Sequence, residues 1–356
     1  MREFTYQVLP GRIVFGAGTA RTRLAAEVER LELERLLLVV SVTKEAVARE
    51  LMASVSDRVA AVYTGVRQHV PVEVAEQARA VAAEANVDGV LNFGGGSATG
   101  TAKAVAMTTH LPIIAIPTTY AGSEVTPVWG LTEGARKATG VDLAVLPRVV
   151  IYDPELTVSL PPHLSAVSGF NAMAHCVEAF WAPGRNPVTS VLAEEGMAAL
   201  VAGLPAVVDG NGLQGRSDLL YGAYLAGTAF AVAGSGLHHK ICHVLGGAYD
   251  LPHAETHAVV LPYVVAFNAP AAAEAIARIA RAVDTADPSQ GLRQLAVGLG
   301  LAQSLRELGL LKDQIPEAVR LLRNVVPGDN PRPVSDGDLT RILAAAWAGQ
   351  DVHELA

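Results

Sequence analysis

LNFGGGSATGTAKAVA, residues 91–106, runs from a β-rich stretch through three glycines and a serine into a helical pattern. A strand that enters a helix through glycines lets backbone N–H groups approach a phosphate and sets it at the positive end of the helix dipole. Gly94, Gly95, Gly96 and Ser97 are therefore candidate pyrophosphate contacts. Outward from this turn, further β-rich runs fall at 12–19, 35–42, 59–66, 112–119 and 148–154, with amphipathic stretches such as PVEVAEQARAVAAEA (71–85) between them. That alternation predicts βαβ units around a mainly parallel sheet. AIPTTYAGSEVTP (115–127) adds Thr118, Thr119 and Ser123 at a second strand end, on the carboxyl edge where open α/β sheets bind ligands.

After SLPPHL (159–164) the strand signals fade, and Ala/Leu-rich helical stretches follow, among them SVLAEEGMAALVAGL (190–204) and LTRILAAAWAGQDV (339–352). The expected architecture is an α/β, Rossmann-like nucleotide-binding domain over 1–155 and an all-α substrate and catalytic domain over 156–356. The run 327–337, PGDNPRPVSDG, reads as a loop before the last helix. A chain of 356 residues exceeds the roughly 250–300 at which a single core stops growing. Apolar residues make up 51% and charged residues 17%, the balance of a helix-rich globular enzyme rather than a disordered chain.

The purest apolar runs, such as LLLVVSV (36–42), fall short of the roughly 18–20 residues of a membrane span. The N-terminal stretch lacks the apolar core of a secretory signal. With only two cysteines, Cys176 and Cys242, no disulfide framework is possible, and a cytoplasmic enzyme is expected. A net charge of −8 without a basic cluster argues against nucleic acid and leaves a small molecule as the expected partner.

The chemistry concentrates in two later segments. GLHHKICHVLGGAYDLPHAETHAVVLP (236–262) carries His239, His243, His253 and His257, and GFNAMAHCVEAF (169–180) carries His175. His239 and His243 are four apart, so on a helix they share one face, about 5–6 Å between Cβ atoms. Asn171 and His175 repeat that spacing, which predicts two helices converging polar side chains on one place. Imidazole is both a common metal ligand and the usual acid–base group near neutral pH. His238, His257 and His163 read as core or helix-cap residues, and Cys242 as a small core residue.

Taken in order, GGGS, PTT-x-A-G-S-E, the Lys of TEGARK, YDP, N-A-x-x-H and H-x3-H-x9-H resemble the iron-containing alcohol dehydrogenases and dehydroquinate synthase-like proteins over roughly residues 10–350. The resemblance implies a nicotinamide nucleotide held by the α/β domain, with Lys137 of TEGARK among its contacts, and a homodimer. In metal-using relatives an Asp and a His four apart join two later histidines fourteen apart; the matching positions are Asn171, His175, His239 and His253. Asn lacks the anion that offsets a divalent cation, so no catalytic metal is expected.

That departure, with HVP (69–71), Gly100 and NPRPV (330–334), resembles the branch of the family that reduces the carbon–carbon double bond of maleylacetate to 3-oxoadipate in aromatic-compound breakdown. The resemblance implies a dicarboxylate substrate. His243 or His253 is then the expected proton donor and oxyanion stabiliser, with His175 and His239 positioning carboxylates beside Asn171. Lys240, Arg332 and His69 are further candidate carboxylate partners, Arg332 because guanidinium grips a carboxylate with two bonds. Ser41 stands where NAD-selective relatives carry an acidic residue toward the ribose, so both NADH and NADPH are expected. The alternatives are a metal-dependent alcohol or polyol dehydrogenase of the same fold, a dehydroquinate synthase-like lyase, and a nucleotide-binding protein without catalysis.

Overall fold

LLLVV at 36–40 is buried on every residue, the continuous apolar run of a strand covered on both faces. It forms β2 (Leu36–Val40) of a six-stranded, wholly parallel sheet. The others are β1 (Arg12–Phe15), β3 (Val59–Tyr63), β4 (Gly89–Gly94), β5 (Ile113–Pro117) and β8 (Val149–Tyr152), in the order β1-β8-β5-β4-β2-β3. The helices α1 (Thr19–Arg30), α2 (Glu45–Leu51), α3 (Val72–Glu84) and α4 (Gly96–Thr109) belong to the same unit. These coordinates are a computed structural model, and they describe residues 3–134, 136–210 and 212–355, without the side chains of Arg136 and Lys137. All six β-rich runs read from the sequence are strands here.

Strand order sets the position of the glycine turn. The chain steps from β2 out to β3, crosses back to β4 on the other side of β2, and continues away to β5, so direction reverses between β2 and β4. Val40 pairs with Phe93, which puts Ser41 and Gly94 side by side at the switch point where doubly wound sheets bind nucleotides. Gly94 is paired with Pro117, and the N–H of Thr118 donates to the Gly94 carbonyl at 3.1 Å. The turn after β4 and the hydroxyl-bearing turn after β5 are thus neighbours.

An antiparallel hairpin, β6 (Val128–Glu133) and β7 (Arg136–Val141), was not legible in the sequence. Its strands are mostly half-exposed and polar, so they lack the apolar signal that marked the others. Lys103 of α4 ties it down. The buried ammonium donates to the carbonyls of Ser123, Thr126 and Val128 at 2.7 Å each and to Thr126 Oγ1 at 3.1 Å. Burial pushes Lys103 down to about 7, against the opposing pull of the Glu124 carboxyl. Glu124 is itself pushed up by burial and accepts from the Tyr152 hydroxyl at 2.7 Å.

Among the described residues, 161–355 contain no strand and nine α-helices: α5 (Pro162–Ala179), α6 (Pro187–Val208), α7 (Gly212–Ala233), α8 (Leu237–Tyr249), α9 (His253–Asn268), α10 (Ala273–Ala282), α11 (Pro288–Gly298), α12 (Ile315–Leu322) and α13 (Asp336–Ala348). Residues 3–7 belong to this helical unit, and 8–160 form the α/β unit; the expected division fell at 155/156. Leu237, Ile241 and Leu245 of α8 share a core with Val260, Tyr263 and Phe267 of α9 and with Leu339 and Ile342 of α13, which fixes α8 against α9. Of the described helices, α6 alone is long and apolar enough by itself to cross a membrane, a length the sequence reading did not pick out. It packs against α5 and α7, and its Glu194 is ion-paired to Arg278 and Arg281 at 2.6 and 2.8 Å, as in a bundle helix.

Because four acceptors converge on one ammonium, Lys103→Met should leave buried oxygens unpaired. We expect the variant to lose about 3 kcal/mol in urea unfolding; a loss under about 1 kcal/mol would show that the clasp is dispensable.

Candidate active site

The glycine turn is shaped for close approach. Gly94 has φ +148°, and a Cβ there would stand 2.9 Å from Ala98 Cβ; a Cβ on Gly95 would meet Thr119 Cγ2 at 2.8 Å. No side chain caps the start of α4, so that positive end is left to a ligand. Beside Gly96 lies the Ser123 hydroxyl, buried and without a hydrogen-bond partner. Gly94, Gly95, Gly96, Ser97, Thr118, Thr119 and Ser123 therefore form one locus, and the orphaned Ser123 oxygen fits a phosphate or ribose partner. At the end of β2, Ser41 Oγ is 3.2 Å from Thr43 Oγ1, with Lys44 Nζ turned to Ser159 Oγ at 2.9 Å. Lys137 lies on β7, but its side chain is outside the described residues.

In the helical unit both i, i+4 pairs lie on helices as the spacing predicted: Asn171 and His175 on α5, His239 and His243 on α8. His253 is the first residue of α9. The rings form a continuous cluster. His175 stacks on His239 with centroids 5.0 Å apart, His239 lies 6.0 Å from His243, and His243 stacks on His253 at 5.9 Å. His257 bridges the other side, 4.8 Å from His239 and 4.5 Å from His253. Phe230 leans on His175 and His239 at 4.5 and 4.9 Å, closing the inner end with an apolar wall.

Burial divides the cluster. His175, His238, His239 and His257 are buried, His253 is half-exposed and His243 is exposed. Desolvation, reinforced by the neighbouring imidazoles, holds His175, His238 and His257 well below the ordinary histidine range, so these rings are neutral at pH 7. The two candidate proton donors are the outer pair, able to recover a proton from solvent.

A carboxylate that the sequence reading missed organises the inner ring. Glu178 of α5 is fully buried and accepts from the backbone N–H groups of Gly236 and His238 at 2.7 Å each and from His239 Nδ1 at 2.5 Å. It thus caps the start of α8 and fixes the His239 ring, leaving Nε2 without a protein partner. The signal was present: Asn171, His175 and Glu178 stand at i, i+4 and i+7, one stripe of α5. His257, read as a core or helix-cap residue, is buried and stands i+4 from His253 on α9.

A family model described as "Iron-containing alcohol dehydrogenase" matches residues 10–154, and one described as "Fe-containing alcohol dehydrogenase family, C-terminal" matches 165–347. The chain belongs to the iron-containing alcohol dehydrogenase family. It is an oxidoreductase. It is 45% identical over 349 residues to a maleylacetate reductase of Sphingobium indicum, with 98% of each chain covered. Among solved structures, it superposes with TM-score 0.97 and 49% identity on an iron-containing alcohol dehydrogenase of Corynebacterium glutamicum, with full coverage of both chains. A maleylacetate reductase of Agrobacterium tumefaciens follows at TM-score 0.94 and 42% identity, covering 98% of this chain and 99% of that one.

The iron for which the family is named fits this donor set poorly. At the positions that the resemblance matches to the family's metal ligands stand Asn171, His175, His239 and His253, three imidazoles and a neutral amide with no anion. Among the described residues, the one group of three His, Cys, Asp or Glu donors within 4.8 Å of one another lies elsewhere, at His238, Cys242 and His257. There His238 Nε2 and His257 Nδ1 are already hydrogen-bonded to each other at 2.8 Å. Burial also pushes the Cys242 thiol well up, away from the thiolate a metal needs.

The proposed carboxylate partners are less uniformly placed. Lys240 follows His239 on α8, half-buried and without an ion pair among the described residues. Arg332 is engaged by the protein: its guanidinium stacks over Phe267 at 4.6 Å and donates to the Phe267 carbonyl at 3.2 Å. His69 belongs to the α/β unit, exposed, with φ +64°. His163 is not a core residue but an exposed one, 3.9 Å from Glu255.

Two outcomes follow. Gly95→Ala pushes Thr119 aside, and we expect it to raise the KM for NADH at least about tenfold, a cost of about 1.4 kcal/mol, with the oxo-acid KM little changed; an unaltered NADH KM would remove the turn from the nucleotide site. Glu178→Gln, which sets an amide N–H against N–H donors, should lower kcat/KM on the order of 10- to 100-fold, the usual cost of losing an orienting partner. A variant with parental activity would mean that His239 needs no such support.

Proposed function

We propose that this oxidoreductase reduces the carbon–carbon double bond of maleylacetate to 3-oxoadipate with NADH or NADPH, without a metal ion. One observation carries the reading: at the positions matched to the family's metal ligands stand a neutral amide and a ring-to-ring histidine cluster in which burial holds His175 and His257 neutral. Maleylacetate reductases at 40–45% identity over 98% of the chain support the substrate.

The substrate is an enone flanked by two carboxylates. A nicotinamide nucleotide, when bound, would supply the hydride that the carbon β to the ketone takes up. The π electrons move toward the ketone oxygen, and the α-carbon then takes a proton to give the saturated oxo-acid. Hydrogen-bond donors can meet the oxygen's developing charge in a desolvated place as a cation would. His253 and His243, stacked at the outer edge, supply that donor and the proton. Asn171, His175 and His239 present atoms without protein partners, Oδ1, Nδ1 and Nε2, to the rest of the substrate. Gly94 to Ser97, Thr118, Thr119 and Ser123 hold the nucleotide. Ser41 in place of a carboxylate leaves a 2′-phosphate unrepelled.

The Corynebacterium glutamicum neighbour, named an alcohol dehydrogenase, favours a second reading as a metal-dependent alcohol dehydrogenase. An assay of chelator-treated protein separates the two. We expect full maleylacetate reduction by metal-free enzyme and no gain from added zinc or iron; activity lost on chelation and regained with metal would overturn the reading.

With His243→Ala or His253→Ala, kcat should fall by about 10²–10⁴ for the residue that donates the proton, and full activity in both would remove the assignment. The ratio of kcat/KM for NADH over NADPH should stay below about a thousandfold, on the order of 4 kcal/mol.

A further inference from the structure

Two buried histidines outside the family's metal positions, His238 and His257, have no part in the chemistry so far. His238 Nε2 and His257 Nδ1 are 2.8 Å apart, both side chains are fully buried, and each has its second ring nitrogen, His238 Nδ1 and His257 Nε2, without any partner. A neutral imidazole carries one proton, so one of the pair donates to the other and the direction fixes both tautomers. A 2.8 Å bond between two ring nitrogens requires one of them to be bare, and with both rings fully buried a second charge on the pair has no solvent to meet it.

The two directions differ in what they strand. If His257 donated, His238 would hold its proton on Nδ1, a buried N–H with no acceptor, which is the rarer and costlier defect. If His238 donates from Nε2, its Nδ1 is a bare acceptor, and the proton of His257 sits on Nε2. That nitrogen is not stranded in the core. The His257 ring lies 4.8 Å from His239 and 4.5 Å from His253, and His239 Nε2, His175 Nδ1 and Asn171 Oδ1 are likewise unpartnered. Four buried polar atoms on adjoining side chains, all without protein partners, mark a place made for ligand oxygens.

We propose that His257, locked by His238 as its Nε2–H tautomer, is a further substrate-binding residue that donates a hydrogen bond to an oxygen of the oxo-acid, with His238 as the positioning residue behind it. This rests on the reaction proposed above. His239 donates from Nδ1 to the Glu178 carboxylate, so its proton sits on that nitrogen and Nε2, which has no protein partner, is left as an acceptor. The pocket thus faces the substrate with one fixed donor, His257, beside a ring whose Nε2 accepts.

The test uses the full-length enzyme. NMR of protein labelled with ¹⁵N-histidine, with the resonances assigned by a His257→Phe variant, should show His257 protonated on Nε2 at pH 7; protonation on Nδ1, or on both nitrogens, overturns the proposal whether or not maleylacetate is the substrate. With maleylacetate, His257→Phe should lower kcat/KM at least tenfold while the Kd for NADH, read by fluorescence, stays within twofold. A kcat/KM within threefold of the parent overturns it. His238→Gln, whose amide can still donate to His257 Nδ1, should keep the Nε2–H tautomer and most activity. His238→Phe should bring the Nδ1–H form into the spectrum together with a loss of kcat/KM. If the parent enzyme leaves maleylacetate untouched, the reaction reading fails, and the tautomer measurement still decides this one.

Discussion

The helical unit's chemistry depends on one buried carboxylate. Glu178 is charged where water cannot reach it, a cost that only well-placed donors offset. It receives three: two backbone N–H groups at the start of α8 and the imidazole of His239. The positive end of α8 stabilises the charge, and the charge in turn caps the helix that carries His238, His239 and His243. The same residue thus anchors α8 to α5 and sets the direction in which the first imidazole faces.

Around that anchor the cluster works by grading solvent access. His175, against Phe230, is held neutral by burial, whereas the outer pair, His243 and His253, is open to water. Several modest dipoles, oriented before the substrate arrives, can stabilise an enolate because they do not reorganise during the reaction. Asn171 fits that scheme, since a carboxylate at the same position would raise the proton affinity of every imidazole nearby.

Much of this was legible in the chain because the signals were periodic. Unbroken apolar runs marked buried parallel strands, three glycines marked a strand-to-helix turn, and four-residue spacing put Asn171 with His175 and His239 with His243 on common helix faces. What escaped lacked period or sign. The hairpin at 128–141 alternates weakly because neither strand is deeply buried. Lys103 looked like an ordinary helix lysine, since nothing local announces that three carbonyls from a later loop converge on it. Glu178 and His257 did carry the helical spacing, but their role comes from contacts 58 to 61 and 19 residues away along the chain. Arg332, a residue type suited to carboxylates, also stacks on an aromatic face and donates to a carbonyl, contacts that no local pattern announces.

The division of the chain bears on its synthesis. Residues 8–160 are contiguous and hold their own sheet and core, whereas residues 3–7 belong with helices that begin at 162. A ribosome therefore releases a foldable α/β unit first, while the short leading segment must wait, unpartnered, for more than a hundred and fifty residues of later chain. The α/β half can form early, and the histidine cluster only once α9, His253–Asn268, has been made.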